Sequence, residues 1–427
     1  MKNNDFVAYT ILIVCGLCFL AAFSSIGYLI FKMHMTEKLY KIVLYNPNYW
    51  ILSFMGVVYA IWRKIKNPIN FDWKEFFVQT FGGFIILFGL SSTFLLVSTD
   101  LHDTEVWNGK VISAEYFEEW TELVHYTEEQ CTGSGENRNC VTVHKTRHDY
   151  HPPYWVLTSS NGETISINKS QYNNVKTHFG NSQKINIIRP NQVSFGDGNK
   201  YQTTWNNQDK TLIPSAVEHD FVNYLAASKS ITKRQGVSDK FTKFLVNYPR
   251  VTEGNFGEIE INRVIQAGTN IPTEWKNQLD KKLDISLSHL GKSKEVNCLV
   301  YTVNTSDQKF LHALEQYWCY GKKNDVVVVL GIDEFPRLSW AASMVFAVNE
   351  DLKVKLRDDL LALSDLDNAT IVGEIISQNI QSHYHRIPME KLEYLLYDIE
   401  MPFWAIVCLI FIFAVNILAI NFYFENN

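Results

Sequence analysis

The chain has 427 residues, a formal net charge of −6 and a hydrophobic share of 46%. The charged residues are spread without long runs, and the sequence has no basic patch interleaved with aromatic residues, which argues against nucleic-acid binding. Strongly apolar segments near both ends flank a polar, cysteine-poor region between residues 100 and 400. This layout predicts an integral membrane protein that displays one large domain on one side of a bilayer.

Four apolar segments are predicted to be transmembrane helices, three of them in residues 1–99 and one in residues 399–427: 8–31, 49–65, 76–98 and 402–424. The first is too long for the core of a cleaved signal peptide, which favours a retained anchor. The second is short. Tyr49, Trp50 and Trp62 could anchor it across the bilayer, and the alternative is a re-entrant or surface helix.

Basic residues near the apolar segments give a mild bias in orientation. With a cytoplasmic N-terminus and a spanning segment at 49–65, five basic residues lie inside and three lie outside. The positive-inside rule then predicts a multi-pass protein of the inner (cytoplasmic) membrane with both termini in the cytoplasm. Residues 100–400 would be periplasmic or extracellular. If 49–65 does not span, this argument has to be rebuilt.

Small and polar residues in the apolar segments indicate helix packing. Gly82, Gly83 and Gly89 allow neighbouring helices to approach closely. Asn416 and Asn421 are costly in lipid unless they face protein, so the last segment should pack against the other spans or against a second copy of the chain. For Asn421 the alternative is a solvated position at the headgroup level.

Residues 100–200 are predicted to form a β module. Short strands separated by turn residues suggest a small barrel or sandwich. Cys131 and Cys140 flank a short polar stretch typical of a hairpin tip, where a disulfide would suit an oxidising, extracytoplasmic compartment. Cys298 and Cys319 are candidates for a second disulfide. The alternative is that all four thiols are reduced.

Histidines are concentrated in the arms of this hairpin. If Cys131 faces Cys140, His125 faces Thr146, and His144 and His148 become its diagonal neighbours on the same face. Three imidazoles within reach could bind zinc or copper. The alternative is a set of solvated histidines on a polar hairpin.

Residues 201–262 are predicted to be a helical linker region, and the pattern changes at about residue 263. From there to residue 398, strands alternate with helices, which predicts a layered α/β domain. Asp333 and Glu334 follow an unbroken apolar strand, at the sheet end where ligands often bind, and are candidate ligands for a divalent cation. The alternative is ordinary loop carboxylates. Signatures of a catalytic site are missing, so no catalytic residue is predicted.

Residues of about 263–395 resemble the TPM domain family. The resemblance rests on a helix followed by the strand Asn297–Val303, a second helix that ends at Gly321, the apolar strand that begins at Val326, and a late helix at 371–384. Where the family commonly has Asn-Gly before this strand, the present chain has Asn324-Asp325. The resemblance implies an α/β/α sandwich, usually membrane-anchored and facing away from the cytoplasm. It also implies links to phosphatase activity, divalent-cation binding and maintenance of membrane protein complexes.

The β module and the segment 196–205 are faintly similar to uncharacterised membrane proteins of tailed bacteriophages and bacteria. This similarity carries no function of its own.

The combined prediction is a non-enzymatic protein of the lipid bilayer whose displayed domain binds or organises another membrane or envelope protein. One alternative is a phosphatase-like hydrolase that acts through acidic residues of the α/β domain. A second alternative is a phage-encoded envelope factor that alters the host surface. A homo-oligomer is compatible with each of these.

Overall fold

A computed structural model describes residues 41–426, apart from 42, 67, 69–72, 99–100, 133–138, 181, 195, 207–210, 229–238 and 347–348. The predicted span 8–31 lies outside the described residues. The chain divides into two compact units. Unit 1 is drawn from Met1–Glu105, Asp220–Gly236 and Ile387–Asn427, and unit 2 from Val106–His219 and Val237–Arg386.

The helices of the described residues are α1 Pro47–Lys66, α2 Trp73–Phe77, α3 Gly83–Ser98, α4 Lys169–Phe179, α5 Tyr224–Ala227, α6 Asp239–Thr242, α7 Thr273–Lys294, α8 Phe310–Tyr317, α9 Glu350–Leu361, α10 Ala369–His383 and α11 Phe403–Asn426. A π-helical turn, Val78–Gly82, joins α2 to α3, and a 3-10 helix, Met389–Asp398, precedes α11.

The strands of the described residues are β1 His102–Phe117, β2 Trp120–Thr132, β3 Asn139–His151, β4 Tyr154–Ser159, β5 Thr164–Ile167, β6 Gln183–Ile185, β7 Lys200–Thr204, β8 Pro214–Val222, β9 Val251–Glu253, β10 Ile259–Ile261, β11 Val264–Ala267, β12 Asn297–Val303, β13 Asp325–Gly331 and β14 Trp340–Val345. The chain is therefore an α+β protein.

Two helical segments of unit 1 are long and apolar enough to cross a membrane. They cover Trp73–Leu95 and Phe403–Phe424, with 23 and 22 residues. They correspond to the predicted spans 76–98 and 402–424.

The prediction of four transmembrane helices is not supported. The segment 49–65 does form a helix, α1, but α1 is not among the helices apolar enough to span. Arg63, Lys64 and Lys66 occupy its last turn, and charged residues lower the apolar character that a span needs. The orientation argument depended on this segment, so the cytoplasmic placement of both termini stays a prediction.

The β module of unit 2 is an open sheet and not the predicted barrel or sandwich. Five strands pair in the order β5-β4-β1-β7-β6, and a sixth strand, β8, pairs with β1. Helix α4 covers the apolar face, with Tyr172 and Val175 buried in a core shared with Val111, Ala114 and Leu157. Since a helix closes this core, no second sheet is needed to bury it.

The residues between the two sheets are not the expected helical linker. β7 and β8 join the sheet of the β module, and β9 pairs with β10 in a short hairpin. In 201–262, the described helices are only α5 and α6, of four residues each. Asn223 caps α5 by accepting hydrogen bonds from the backbone N–H groups of Leu225 and Ala226, at 3.1 Å each.

The second sheet of unit 2 has the predicted layered form. β11, β12 and β13 are parallel, and β14 is antiparallel to β13. Every residue of β12 and β13 is buried, as expected for strands that helices cover on both faces. Leucines of α7 and α9 pack on one face and residues of α8 on the other. Each buried leucine contributes about 1.5 to 3 kcal/mol relative to an exposed one.

Candidate functional site: a polar cavity and an exposed hairpin

A buried arginine organises the amino ends of the parallel strands in unit 2. Arg263, immediately before β11, is 2% exposed. Its guanidinium forms a salt bridge with Asp284 of α7, at 2.5 Å, and donates to Asn297 at 2.7 Å and to Asn108 at 2.6 Å. A buried charge is tolerated only when it is paired and its donors are used, so these three partners explain why this arginine can lie in the interior.

Two aspartates of α7 face this arginine. Asp280 and Asp284 are four residues apart and therefore share one face of the helix. Asp280 accepts hydrogen bonds from the backbone N–H groups of Arg263 at 2.6 Å and Val264 at 3.2 Å. Burial raises the pKa of Asp284 to about 6, although the Arg263 charge opposes the shift. Burial also raises the pKa of Asp280. Both carboxyl groups are thus poised closer to neutrality than ordinary aspartates.

A second buried polar group continues the network along the same strand ends. Asp325 begins β13 and accepts hydrogen bonds from Asn297 at 2.8 Å and Tyr248 at 3.1 Å. Burial raises the pKa of Asp325 to about 6, and it raises the pKa of Tyr248 well above the ordinary value. The amino ends of the strands therefore hold a connected set of polar side chains inside an otherwise apolar sheet.

A cavity of about 600 Å³ opens beside this network. Its lining comes from the start of β8, the β9–β10 hairpin and one face of α7, and includes Glu260, Asp280 and Asp284. Burial raises the pKa of Glu260, and the charges of Glu258 and Asp280 add to the shift. Ser215 also lines the cavity; it is 2% exposed, and its Oγ has no hydrogen-bond partner among the described residues. The volume lies within the range of small-molecule sites.

The hairpin β2–β3 has the predicted disulfide and the predicted register. Cys131 and Cys140 are bonded, and His125 faces Thr146, while His144 faces Thr127. Apart from bonds at its base, this two-stranded sheet pairs with no other strand of the described residues.

The predicted histidine metal site does not assemble. His125, His144 and His148 are exposed on the hairpin. Among the described residues, no three histidine, cysteine, aspartate or glutamate side chains lie close enough together to hold a metal ion. The register places the three rings on one face, but their side chains do not converge on a common point.

The predicted cation ligands after β13 are joined by no further histidine, cysteine, aspartate or glutamate in a group of three among the described residues. Asp333 and Glu334 are exposed, and Asp333 accepts a hydrogen bond from Ser339 at 2.8 Å. Residues 334 and 337 form a backbone bridge. These carboxylates therefore belong to a turn that leads into β14, and the polar network lies at the opposite, amino end of the parallel strands.

Cys298 and Cys319 do not form the second disulfide. Both are free thiols, with Cys298 fully buried in β12. Burial raises the pKa of Cys298 to about 12. Its thiol is therefore an apolar core group and not a reactive one.

The helices of unit 1 enclose polar side chains of their own. Arg63 of α1 forms a 2.6 Å salt bridge with Glu75 of α2, and both are buried. Gln79 donates to Asn421 of α11 at 2.7 Å, and Asn421 donates to Tyr59 of α1. Asn421 thus faces protein, which is one of the two alternatives that the sequence left open.

The small residues predicted to mediate helix packing differ in their surroundings. Asn416 and Gly89 are buried, and a Cβ on Gly83 would lie 3.4 Å from Phe413 of α11. A Cβ on Gly82 would meet nothing within 4 Å, so Gly82 is not a contact residue within the described part of the chain. Gly56 of α1, which the sequence did not single out, lies closest to α11, since its Cβ would be 2.9 Å from Phe413.

Sequence reasoning missed the cavity residues because each one looks ordinary in its local pattern. One signal was available. Asp280 and Asp284 form a like-charged pair at i and i+4, which is unfavourable on an isolated helix and suggests that something compensates it.

Comparison with known proteins finds no matching family model, no similar curated protein and no similar solved structure.

Proposed function

We propose that this chain is a non-enzymatic, membrane-held protein that binds another membrane or envelope protein. The observation that carries the proposal is the β2–β3 hairpin. It is a long two-stranded arm that is closed by a disulfide and, among the described residues, pairs with other segments only at its base, and most described side chains of its distal half are exposed. An arm of this kind contributes little to a core, so its exposed side chains are better explained by an external contact.

The base of the hairpin is held firmly to the rest of unit 2. Trp120 stacks on His151 with ring centroids 4.2 Å apart, and the Arg189 guanidinium lies 4.7 Å from the Trp120 ring. The backbone N–H of Leu123 donates to the Asn191 carbonyl at 2.8 Å. The arm therefore leaves unit 2 from a fixed point.

The distal part of the hairpin has a composition that suits protein recognition. Tyr126 and Val141 are 40% and 58% exposed, and Tyr150, nearer the base, is 61% exposed. Charged neighbours such as Lys145 and Glu128, which form a salt bridge, separate these apolar side chains. Tyrosines set among polar groups are typical of interface hot spots. The disulfide limits the motion of the free arm, which lowers the entropic cost of binding.

The disulfide also supports display of unit 2 outside the cytoplasm, because such bonds persist in oxidising compartments. The layered sheet of residues 263–345 is compatible with a TPM-like domain, a family linked to the maintenance of membrane protein complexes. This relationship rests on the sequence pattern and remains part of the proposal, whereas a phage-encoded envelope factor stays an alternative.

A phosphatase-like activity has less support. Asp333 and Glu334 lie in an exposed turn. The polar cavity carries three carboxylates, and the buried Arg263 beside them is already used by Asp284 and two asparagines. A phosphate ester would meet like charge in this cavity.

Site-specific photo-crosslinking in native membranes tests the proposal. A photoreactive amino acid replaces Tyr126 on the hairpin, and the matched control replaces Val354, which is 44% exposed on α9. We expect one discrete crosslinked protein from position 126 and none from position 354. The crosslink should disappear when Val141→Asp is added, because a charge at that site opposes an apolar contact. Equal products from both positions, or none from position 126, would overturn the proposal.

A further inference from the structure

The polar cavity of unit 2 combines three carboxylates with an unused polar group. Glu260, Asp280 and Asp284 line it together with Ser215. The charges of Asp280 and Glu260 both act on Asp284, which shows that the carboxylates are near enough to repel one another. Like charges placed together inside a cavity are destabilising unless a cation offsets them.

Among the described residues, Arg263 and Lys276 offset part of this charge at Asp280. Arg263 is directed to Asp284, Asn108 and Asn297, and Lys281 is an exposed member of the lining. The Glu260 side chain makes no hydrogen bond or ion pair with any residue that the structure describes. Glu260 is therefore available to a ligand.

A metal ion does not fit this arrangement as well as an organic cation does. No set of three potential metal ligands in the described residues has the spacing to hold a metal ion. Small-molecule sites of this size combine apolar walls with a few polar groups that fix orientation. Here Ile259, Ile261 and Ile285 supply apolar lining. Ser215 Oγ, buried and unpartnered among the described residues, could exchange a hydrogen bond with a ligand hydroxyl.

We infer that this cavity binds a small polar molecule that carries an ammonium group. The ammonium donates to Glu260 and to the outward side of Asp280, and the rest of the ligand lies against the isoleucines and Ser215. A site of this kind would give the protein a small-molecule ligand in addition to the protein partner of the hairpin, and it does not depend on that partner.

Two sugars that differ in one group provide the probe. Glucosamine carries an ammonium group where glucose carries a hydroxyl group. We expect titration calorimetry on the purified full chain in detergent to show binding of glucosamine and at least about tenfold weaker binding of glucose, because a charge-assisted hydrogen bond is lost. Calcium alone should bind the wild-type chain no more tightly than it binds a Glu260→Gln variant.

Two substitutions distinguish glucosamine binding in the cavity from binding elsewhere on the surface. Glu260→Gln keeps the shape of an exposed side chain, so it should fold normally and weaken glucosamine binding about tenfold or more. Glu350→Gln, at an exposed position on α9, is the matched control and should change nothing. Equal binding of glucose and glucosamine, calcium binding that depends on Glu260, or no glucosamine binding by the folded wild-type chain would overturn the inference. Hairpin variants should leave glucosamine binding unchanged, which separates this result from the crosslinking test.

Discussion

Arg263 shows how one residue can determine the polarity of a whole region. Its charge is buried at the start of β11, and its three side-chain partners come from three different segments of unit 2. Because an unpaired buried charge costs several kcal/mol, this arginine forces β1, α7 and β12 to bring polar groups to one place. Of the cavity carboxylates, Asp284 pairs with this charge directly.

The raised pKa of Asp284 predicts a pH dependence of stability. Its folded-state pKa of about 6 lies above the ordinary value of 3.8, so between these values the folded chain binds more protons than the unfolded chain. The stabilisation is fully present below about pH 4 and is lost as pH rises through 6. The Asp284→Asn variant has no carboxyl group at this position to titrate. The unfolding free energy of the wild type minus that of the variant should therefore fall by about 1 to 2 kcal/mol between pH 5 and pH 7.

Thermal unfolding of the full chain in detergent at the two pH values measures this change. Asp358→Asn, at a position 55% exposed on α9, should show no such pH-dependent difference. A difference between wild type and Asp284→Asn that is constant with pH would contradict the shifted pKa.

At the scale of elements, patterns that depend on sequence neighbours were predicted well. The strands β12 and β13, the alternation of strands and helices after residue 263 and the register of the cysteine-tipped hairpin follow from apolar runs and local pairing. Helix α4 was missed, although Asn168 and Gln171 form a capping box at its start. Strand β8 lies in the segment predicted to be helical and was mistaken for a helix, because its pairing with the distant strand β1 is not encoded in its local sequence pattern.

Features that depend on long-range contacts could not be predicted. Glu260 and Asp284 are separated by 24 positions in the sequence, and only the fold directs both into one cavity. The same holds for Arg63 and Asn421, whose partners lie on other helices. The histidine register was predicted, but whether side chains converge depends on rotamers that a register does not set.

The contact between α1 and α11 gives a prediction at this scale. Replacing Gly56 with alanine places a Cβ 2.9 Å from the Phe413 ring, whereas the same change at Gly82 meets nothing within 4 Å. Both changes gain helix propensity, about 1 kcal/mol. Overpacking costs about 1 to 3 kcal/mol, so Gly56→Ala should unfold at a lower temperature than Gly82→Ala in detergent. Equal stabilisation by both would show that Gly56 is not a packing site.

At the scale of the whole molecule, the candidate membrane helices and the disulfide both bear on the compartment in which unit 2 lies. Two helices of unit 1 can cross a bilayer, and the Cys131–Cys140 bond of unit 2 suits an oxidising compartment. Display of unit 2 outside the cytoplasm is compatible with both observations and stays a proposal. The proposed partner and the proposed ligand would then both be extracytoplasmic.

The side of the membrane that unit 2 occupies is the most direct test of this account. Single cysteines are introduced at Val354 of α9 and at Lys66, the last residue of α1, and each chain is treated in intact cells with a membrane-impermeant maleimide. The unmodified chain gives the background from native thiols such as Cys319. The account predicts that Val354→Cys is labelled in intact cells and that Lys66→Cys is labelled only after permeabilisation. Labelling of Val354→Cys only after permeabilisation would place unit 2 in the cytoplasm and contradict the account.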